Sequence, residues 1–508
     1  MSNDSFAVLN RHIRTLRIRD MFRQSSYSGG VAAQLLTAAI RIPVELLVPI
    51  AIGRFLGPTA VGSYAMIVVV STYVGYVADF GISYLLIREI ARYSMQIKSW
   101  VSSAFIVGGI VSLALLSLVS LVAIIMLGAT YLCAEIICAV LSAIILALGS
   151  YYVSAFYANN RMQYETIGVL LQSLIFGSLS LLALTRGWGL LFVFVSLLIS
   201  RLIFLIVNRS LYRRMVQPVP DTNVKKTSEI WRESPAFLTH NVFSMVFTRV
   251  DILMLGAMVG PLQVGFYEPA SGFVTRLPFV ARALTNSSFP VLSGLLPSQQ
   301  DRARNHSHTL SIRLLMISFP IAIWIFWGAN LLTYISYGPA FESTAICLRI
   351  LAILIPLQFM DNGLGMIAAA GNKQRERAKT VIVASIVNIL LNIVLIPKFG
   401  YVAASVSSII CELVIFGLML HYARQVLNGS PFTIRDLVRI VAGAASMILA
   451  LGLLSNLQVG VVLELAVSFL SLVPCLIIYV WLGLIGPNGT AVKVRFPSLH
   501  PSVQIKEG

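Results

Sequence analysis

Charged side chains inside long apolar runs are the residues of this chain best placed to do chemistry. Each costs several kcal/mol to hold at membrane depth unless a cavity or a partner answers it. Arg41 lies near the middle of the first apolar run, and Glu45 follows one helical turn on, a spacing that pairs the two on one face. Arg249 and Asp251 fall in the seventh run, two positions and so about 200° apart on a helix, and cannot face one cavity together. Arg276 sits near the middle of the eighth run, with Arg282 deeper and on another face. Asp361 lies in the inner half of the tenth run and Glu412 midway along the twelfth. A guanidinium presents a fixed fork of donors that matches phosphate oxygens in pairs. Arg41, Arg249, Arg276 and Arg282 are therefore the candidates for holding an anionic ligand, led by Arg41 and Arg276. Glu45, Asp251 and Asp361 are the candidates for taking up a proton or Na+.

Tyr73 and Tyr76, deep in the second run, are placed to stack on sugar faces. Tyr151, Tyr152, Phe156 and Tyr157, at the inner end of the fourth, read as an interfacial aromatic belt. Arg54, Glu135, Glu268, Arg349 and Glu464 lie near the ends of runs and read as snorkelling groups; Arg201 reads as snorkelling or as a fixed ion pair.

Other chemistries have no foothold. The sequence has no GxxxxGK[ST] phosphate loop, no HExxH, no GxSxG and no metal-ligand cluster, and its six histidines are scattered. The five cysteines, Cys133, Cys138, Cys347, Cys411 and Cys475, are odd in number and form no CxxC pair, so they read as small apolar packing residues. No metal and no cofactor is expected, and the chain is not expected to be an enzyme. Work against a gradient would draw on H+ or Na+ or on a coupled partner.

The elements that must position these residues are apolar. At 57% hydrophobic and 11% charged over 508 residues, the composition belongs in lipid. Fourteen runs, each long enough to cross about 30 Å of hydrocarbon as a helix, can be read between residues 29 and 485. The net charge of +17 raises nucleic acid as a partner, but most of the 37 lysines and arginines fall at one set of alternating loops. That is the positive-inside pattern, with both termini cytoplasmic, and nucleic acid is not needed to explain the charge. Residues 1–28 are basic with interspersed apolar positions, an arm suited to lying on anionic lipid.

The chain is duplicated. Gly57-Pro58-Thr59-Ala60-Val61-Gly62-Ser63-Tyr64 recurs as Gly260-Pro261-Leu262-Gln263-Val264-Gly265-Phe266-Tyr267. Ala158-Asn159-Asn160-Arg161 is matched by Ala370-Gly371-Asn372-Lys373, and Arg186-Gly187-Trp188-Gly189 by Pro397-Lys398-Phe399-Gly400. The division expected is an arm at 1–28, an N-lobe of six helices at 29–209, a cytoplasmic linker at 210–231 and a C-lobe of six at 232–425. Two further helices at 426–485 and a cytoplasmic tail at 486–508 complete it. Because six is even, the lobes form a parallel repeat about an axis along the membrane normal, the architecture of a transporter. Pro43, Pro49, Pro269, Pro278, Pro320 and Pro356 fall inside runs and mark candidate bends, the first two together most strongly.

These pieces resemble the polysaccharide transport family of the multidrug/oligosaccharidyl-lipid/polysaccharide exporter superfamily. Further matching pieces are Asp79-Phe80-Gly81 with Arg88-Glu89-Ile90-Ala91, Arg249-Val250-Asp251, Phe289-Pro290, Tyr337-Gly338-Pro339-Ala340-Phe341, and Asn388 through Asn392. In this order they cover residues 29–425. The resemblance implies an all-α polytopic protein with two six-helix bundles around a V-shaped cavity, lined chiefly by helices 1, 2, 7 and 8. The implied cargo is an undecaprenyl-diphosphate-linked oligosaccharide carried across the bacterial inner membrane, coupled to H+ or Na+, alongside other polysaccharide-assembly proteins. Arg41, Arg249 and Arg276 fall on cavity-lining helices under that arrangement, and Glu412 does not. A multidrug exporter or lipid II transporter of the same superfamily is the near alternative. A polysaccharide polymerase or ligase is the distant one, since it would call for a substantial external loop carrying catalytic Arg or His.

Overall fold

The computed structural model describes residues 27–93, 96–127, 130–216 and 226–454, with 474, 475, 477 and 479. Residues 1–26 of the basic arm, the middle of the linker, most of the fourteenth run and the tail lie outside the described residues. Within them the chain is helical throughout, with no strand. Lipid leaves a spanning backbone no other way to satisfy its polar groups short of a closed barrel. Numbered in chain order, the helices are α1 Tyr27–Leu56, α2 Pro58–Asp79, α3 Ile82–Arg92, α4 Ile97–Leu127, α5 Tyr131–Ala158, α6 Gln163–Thr185 and α7 Leu190–Met215. There follow α8 Thr227–Val259, α9 Pro261–Val274, α10 Pro278–Leu295, α11 Gln300–Tyr337, α12 Glu342–Ala352, α13 Leu354–Ala370, α14 Gln374–Leu427 and α15 Ile434–Leu454. Seven of the described elements are long and apolar enough to cross a membrane, or eight if the bent pair α12–α13 is one span. That tally takes α14 as a single run, although its backbone leaves the helical region at Gly400 (φ 55°, ψ −131°).

Duplicated motifs have duplicated geometry. Gly57 (φ 83°, ψ −178°) and Gly260 (φ 96°, ψ 170°) adopt the same conformation, one essentially restricted to glycine, and each is followed by a proline at the first helical position. Gly338 repeats it before Pro339. At the opposite turns, Asn160 and Asn372 are both left-handed (φ 54° and 60°). The amide N–H of Arg161 donates to Phe156 O and that of Lys373 to Ala368 O, each at 2.8 Å, so both helices end in the same six-residue closure.

The chain clusters into two compact units. The first comprises 1–272, 334–344 and 389–404. In it α1 packs on α6 and α2, α5 on α7, α2 and α4, and α6 on α7, while α8 packs on α2, α3 and α4. Ile82, Leu85, Leu86, Trp100, Tyr151, Tyr152, Phe156 and Phe204 make one buried cluster. Tyr151, Tyr152 and Phe156 are therefore core residues rather than an interfacial belt: their rings interlock with Phe105, Tyr212 and Tyr164 instead of reaching the lipid boundary. The first turns of α2 and α9 meet backbone to backbone. A Cβ at Gly62 would land on the carbonyl of Pro261, and one at Gly265 on the carbonyl of Pro58.

The second unit comprises 273–333, 345–388 and 405–508. There α10 packs on α13, and Arg304 at the start of α11 donates to Leu427 O and Asn428 O at the end of α14. Two expected spans are broken. The eighth run divides at Thr275-Arg276-Leu277, just before Pro278, and the tenth divides at Ile353, one turn before Pro356, with a 40° bend. Pro43, Pro49, Pro269 and Pro320 lie inside helices. Cys133, Cys347, Cys411 and Cys475 are buried thiols.

Candidate functional site

In the first unit, polar groups gather where α1, α6 and α7 carry their few charges. The Arg41 Nε lies 3.4 Å from the Glu45 Oε1, with 52% and 48% of the two side chains exposed. Those exposures matter because Arg41 is near the middle of a 30-residue helix. A half-exposed guanidinium at that depth has to face water or a polar cavity, since acyl chains offer it nothing. Thr37 donates to Thr166 at 3.1 Å, fixing the register of α1 against α6. Just before Thr166, Glu165 accepts the Tyr157 hydroxyl at 2.6 Å and lies within electrostatic reach of Arg41. Arg201 on α7 is acted on by Glu45, Tyr64 and Arg41, and its Nε is shut off from solvent with no acceptor among the described residues.

A second group joins α8 to α9. The Arg249 Nη1 donates to both oxygens of Glu268, at 3.1 and 3.2 Å. Asp251 accepts the Tyr267 hydroxyl at 2.5 Å. The two α8 side chains thus reach successive residues of α9, as their separation around the helix requires. Glu268, read from sequence as an end-of-span group, is the countercharge of Arg249. Tyr73 is within electrostatic range of both Asp251 and Arg249, whereas Tyr76 answers to Tyr84 and Asp79 and is exposed. The two tyrosines do not share one environment.

The second unit holds the remaining candidates. Arg276 occupies the non-helical turn between α9 and α10, partly buried, and Arg282 is exposed on α10. Interrupted helices expose backbone groups at depth, which membrane proteins tolerate where the chain is buried in protein or lines a cavity. Asp361 on α13 is reached by the charge of Arg377 on α14, and Glu412 further along α14 is reached by Asp361. The Arg377 guanidinium lies against Gly365, where a Cβ would come within 3.2 Å of it. Glu412, which the sequence reading left without a role, lies within electrostatic reach of Asp361. Among the described residues no group of three or more His, Cys, Asp or Glu could hold a metal ion.

Sequence reasoning passed over Glu165 with Tyr157, the Glu268 partner and the interior position of Arg201. The first two needed tertiary contacts. Arg201 carried a usable signal, since it stands eleven residues from Leu190 in a helix that ends at Met215 and is too deep to reach either end easily.

Outside the apolar runs, Arg88 donates to Glu233 and stacks over Phe237, while Phe80 meets Trp231 edge-on. The Arg88 guanidinium holds the Glu233 carboxyl below its usual range. Gly81 lies against the backbone of Ser234 and Leu238, so α8 closes tightly on the break between α2 and α3.

A family model described as "Polysaccharide biosynthesis protein" matches residues 30–296, more than half of the chain. Among curated proteins the chain is similar to "Putative O-antigen transporter" of Escherichia coli (strain K12), 24% identical over 190 residues that cover 37% of this chain and 46% of that one. It is similar also to "Probable flippase AglR" of Haloferax volcanii, 25% identical over 178 residues, 34% of this chain and 36% of the relative. The chain thus spans less than half the length of these curated relatives. Among solved structures it resembles "Lipid II flippase MurJ, inward closed conformation" with a TM-score of 0.73 at 13% identity, over 89% of this chain and 98% of that one. An inward-facing multidrug resistance MATE family transporter of the MOP superfamily matches with a TM-score of 0.59 at 14% identity, over 78% and 98%. At such identities the likeness establishes a shared fold.

Proposed function

The chain belongs to the polysaccharide biosynthesis protein family, and from that premise we propose that it is a flippase for lipid-linked oligosaccharides. The cargo is an undecaprenyl-diphosphate-linked repeat unit, moved across the bacterial inner membrane by alternating access. The observation that carries this reading is the half-exposed Arg41–Glu45 pair midway along an apolar helix. A cation held at that depth suits a diphosphate, because guanidinium and phosphate oxygens match in geometry and in charge. The saccharide follows the diphosphate through polar surroundings while the prenyl tail stays in the lipid.

Arg249, Arg276 and Arg282 are further cationic positions that the head group meets during transport, and Tyr73 and Tyr76 offer ring faces to the sugars. Glu45, Asp251 and Asp361 are the positions proposed to take up H+ or Na+ and so to couple the cycle to a gradient. Under this reading both termini lie in the cytoplasm, where the basic residues 1–28 are available to anionic lipid or to other polysaccharide-assembly proteins. The lobe division at 29–209 and 232–425 belongs to the same proposal.

Translocation of a lipid-linked oligosaccharide in proteoliposomes, with Arg41→Gln and Arg276→Gln combined, tests the anionic site. The expected result is a fall of at least about tenfold, the effect of losing roughly 1.4 kcal/mol, in protein that retains the parent's melting behaviour. Full activity in the double variant would overturn the assignment of these arginines to the head group.

A further inference from the structure

Arg201 is the interior cation left unused so far. It stands eleven residues into α7 (190 to 201), and Glu45 stands eleven residues before the end of α1 (45 to 56). At 1.5 Å per residue each lies about 16 Å along its helix from that terminus. Glu45 is the foremost countercharge acting on Arg201. It is, however, already engaged with Arg41 at 3.4 Å. The nearby Glu165 takes the Tyr157 hydroxyl and acts on Arg41. One carboxylate thus pairs with Arg41 and also lies within electrostatic reach of Arg201, and the Arg201 Nε, closed to solvent, has no acceptor among the described residues. Arginine stays charged under all ordinary conditions, so this deficit of acceptors cannot be relieved by losing a proton.

A diphosphate supplies what the cluster lacks, carrying more negative charge and more acceptor oxygens than a carboxylate. We propose that Arg201 binds the diphosphate of the cargo together with Arg41, and that Glu45 is an internal counter-ion which the diphosphate displaces. The inference rests on the flippase reading and adds to it a second guanidinium and a placeholder carboxylate. It also makes a prediction of sign that a structural salt bridge would not. Removing the Glu45 charge takes away a competitor, so affinity for the anion rises.

The test is equilibrium binding of a short-chain polyprenyl diphosphate, with the matching monophosphate for comparison, to the purified full chain in detergent. Arg201→Gln is expected to weaken diphosphate binding at least about tenfold and monophosphate binding less, and Arg201→Lys to fall between parent and Arg201→Gln. Glu45→Gln is expected to tighten diphosphate binding several-fold. Parent-like affinity in Arg201→Gln, or weakened affinity in Glu45→Gln, would overturn the proposal. Should Arg201→Gln fail to fold, Arg201→Lys and Glu45→Gln still decide the matter, because only the counter-ion role moves their affinities in opposite directions. A parent chain that binds no polyprenyl diphosphate would remove the flippase reading itself. A parent that binds it with no response to these variants would remove only this inference.

Discussion

A guanidinium inside an apolar bundle persists only where something answers it, and three arginines of the first unit are answered differently. Arg41 has Glu45 on its own helix, Arg249 has Glu268 on the next, and Arg201 is reached by the charge of Glu45 without an ion pair to it among the described residues. Arg249 has the most complete pairing, with both carboxylate oxygens within 3.2 Å. Glu268→Gln should therefore destabilise the fold by about 1–3 kcal/mol, the usual consequence of leaving one partner of a shielded pair alone. The double change Arg249→Gln, Glu268→Gln should recover part of that loss. Thermal melting in detergent reads both; a double variant that melts as low as the single would show the pair to be uncoupled. On the aqueous side, Glu233 gives a pH dependence of known sign. Its carboxyl is held below the usual range by Arg88, so the contact contributes above the ordinary glutamate range and is lost as pH falls through the lowered value. Glu233→Gln should lower the melting temperature near neutrality, with the difference from parent closing in acid. A gap that widened in acid would contradict the pairing. At this scale the sequence revealed Arg41 with Glu45, because a spacing of four on one helix is a local fact. It did not reveal Glu268, Glu165 or Arg377 as partners, because those contacts join different helices.

The helices were legible wherever their ends were marked chemically. Gly57-Pro58 and Gly260-Pro261, the repeated motif, join a glycine-only backbone to a residue that starts a helix, and each opens a new element. The breaks at residues 275–277 and at Ile353 were hidden, since a hydropathy window averages across a three-residue turn and keeps its value. Nor did prolines alone locate them: Pro278 and Pro356 follow breaks, while Pro43, Pro49, Pro269 and Pro320 sit inside helices. What sequence could not supply at all was the meeting of the two repeated turns. Gly62 and Gly265 are the reciprocal points of closest approach, each against the carbonyl of the other motif's proline. Gly62→Leu leaves no space for that crossing, so the starts of α2 and α9 must move apart. Nitroxide labels at Thr59 and Leu262 should then report a longer distance by pulsed electron resonance than in the parent. An unchanged distance would show that the crossing does not depend on the glycine.

For the molecule as a whole, fold class was the most legible property, because a composition of 57% hydrophobic and 11% charged residues leaves polytopic helices as its natural solution. Two compact units, an all-helical architecture and a fold shared with a lipid II flippase over 89% of the chain fit that composition. The cargo was the least legible, because fold is shared between transporters of unlike substrates, while under the proposal above the cargo is selected by a few side chains such as Arg41, Arg201 and Arg276. Burying aromatic residues as core or leaving them as a belt was equally undecidable from composition, as Tyr151 and Phe156 show. The flippase account is tested most directly by reconstituting the full chain in liposomes with one fluorescent head group at a time and scoring loss of inner-leaflet signal to an impermeant quencher. Offered a diphosphate-linked oligosaccharide, a lipid II analogue and a lipophilic drug cation, the protein should translocate the oligosaccharide fastest and leave the cation untouched. Movement of the drug cation with no movement of the diphosphate-linked oligosaccharide would contradict it.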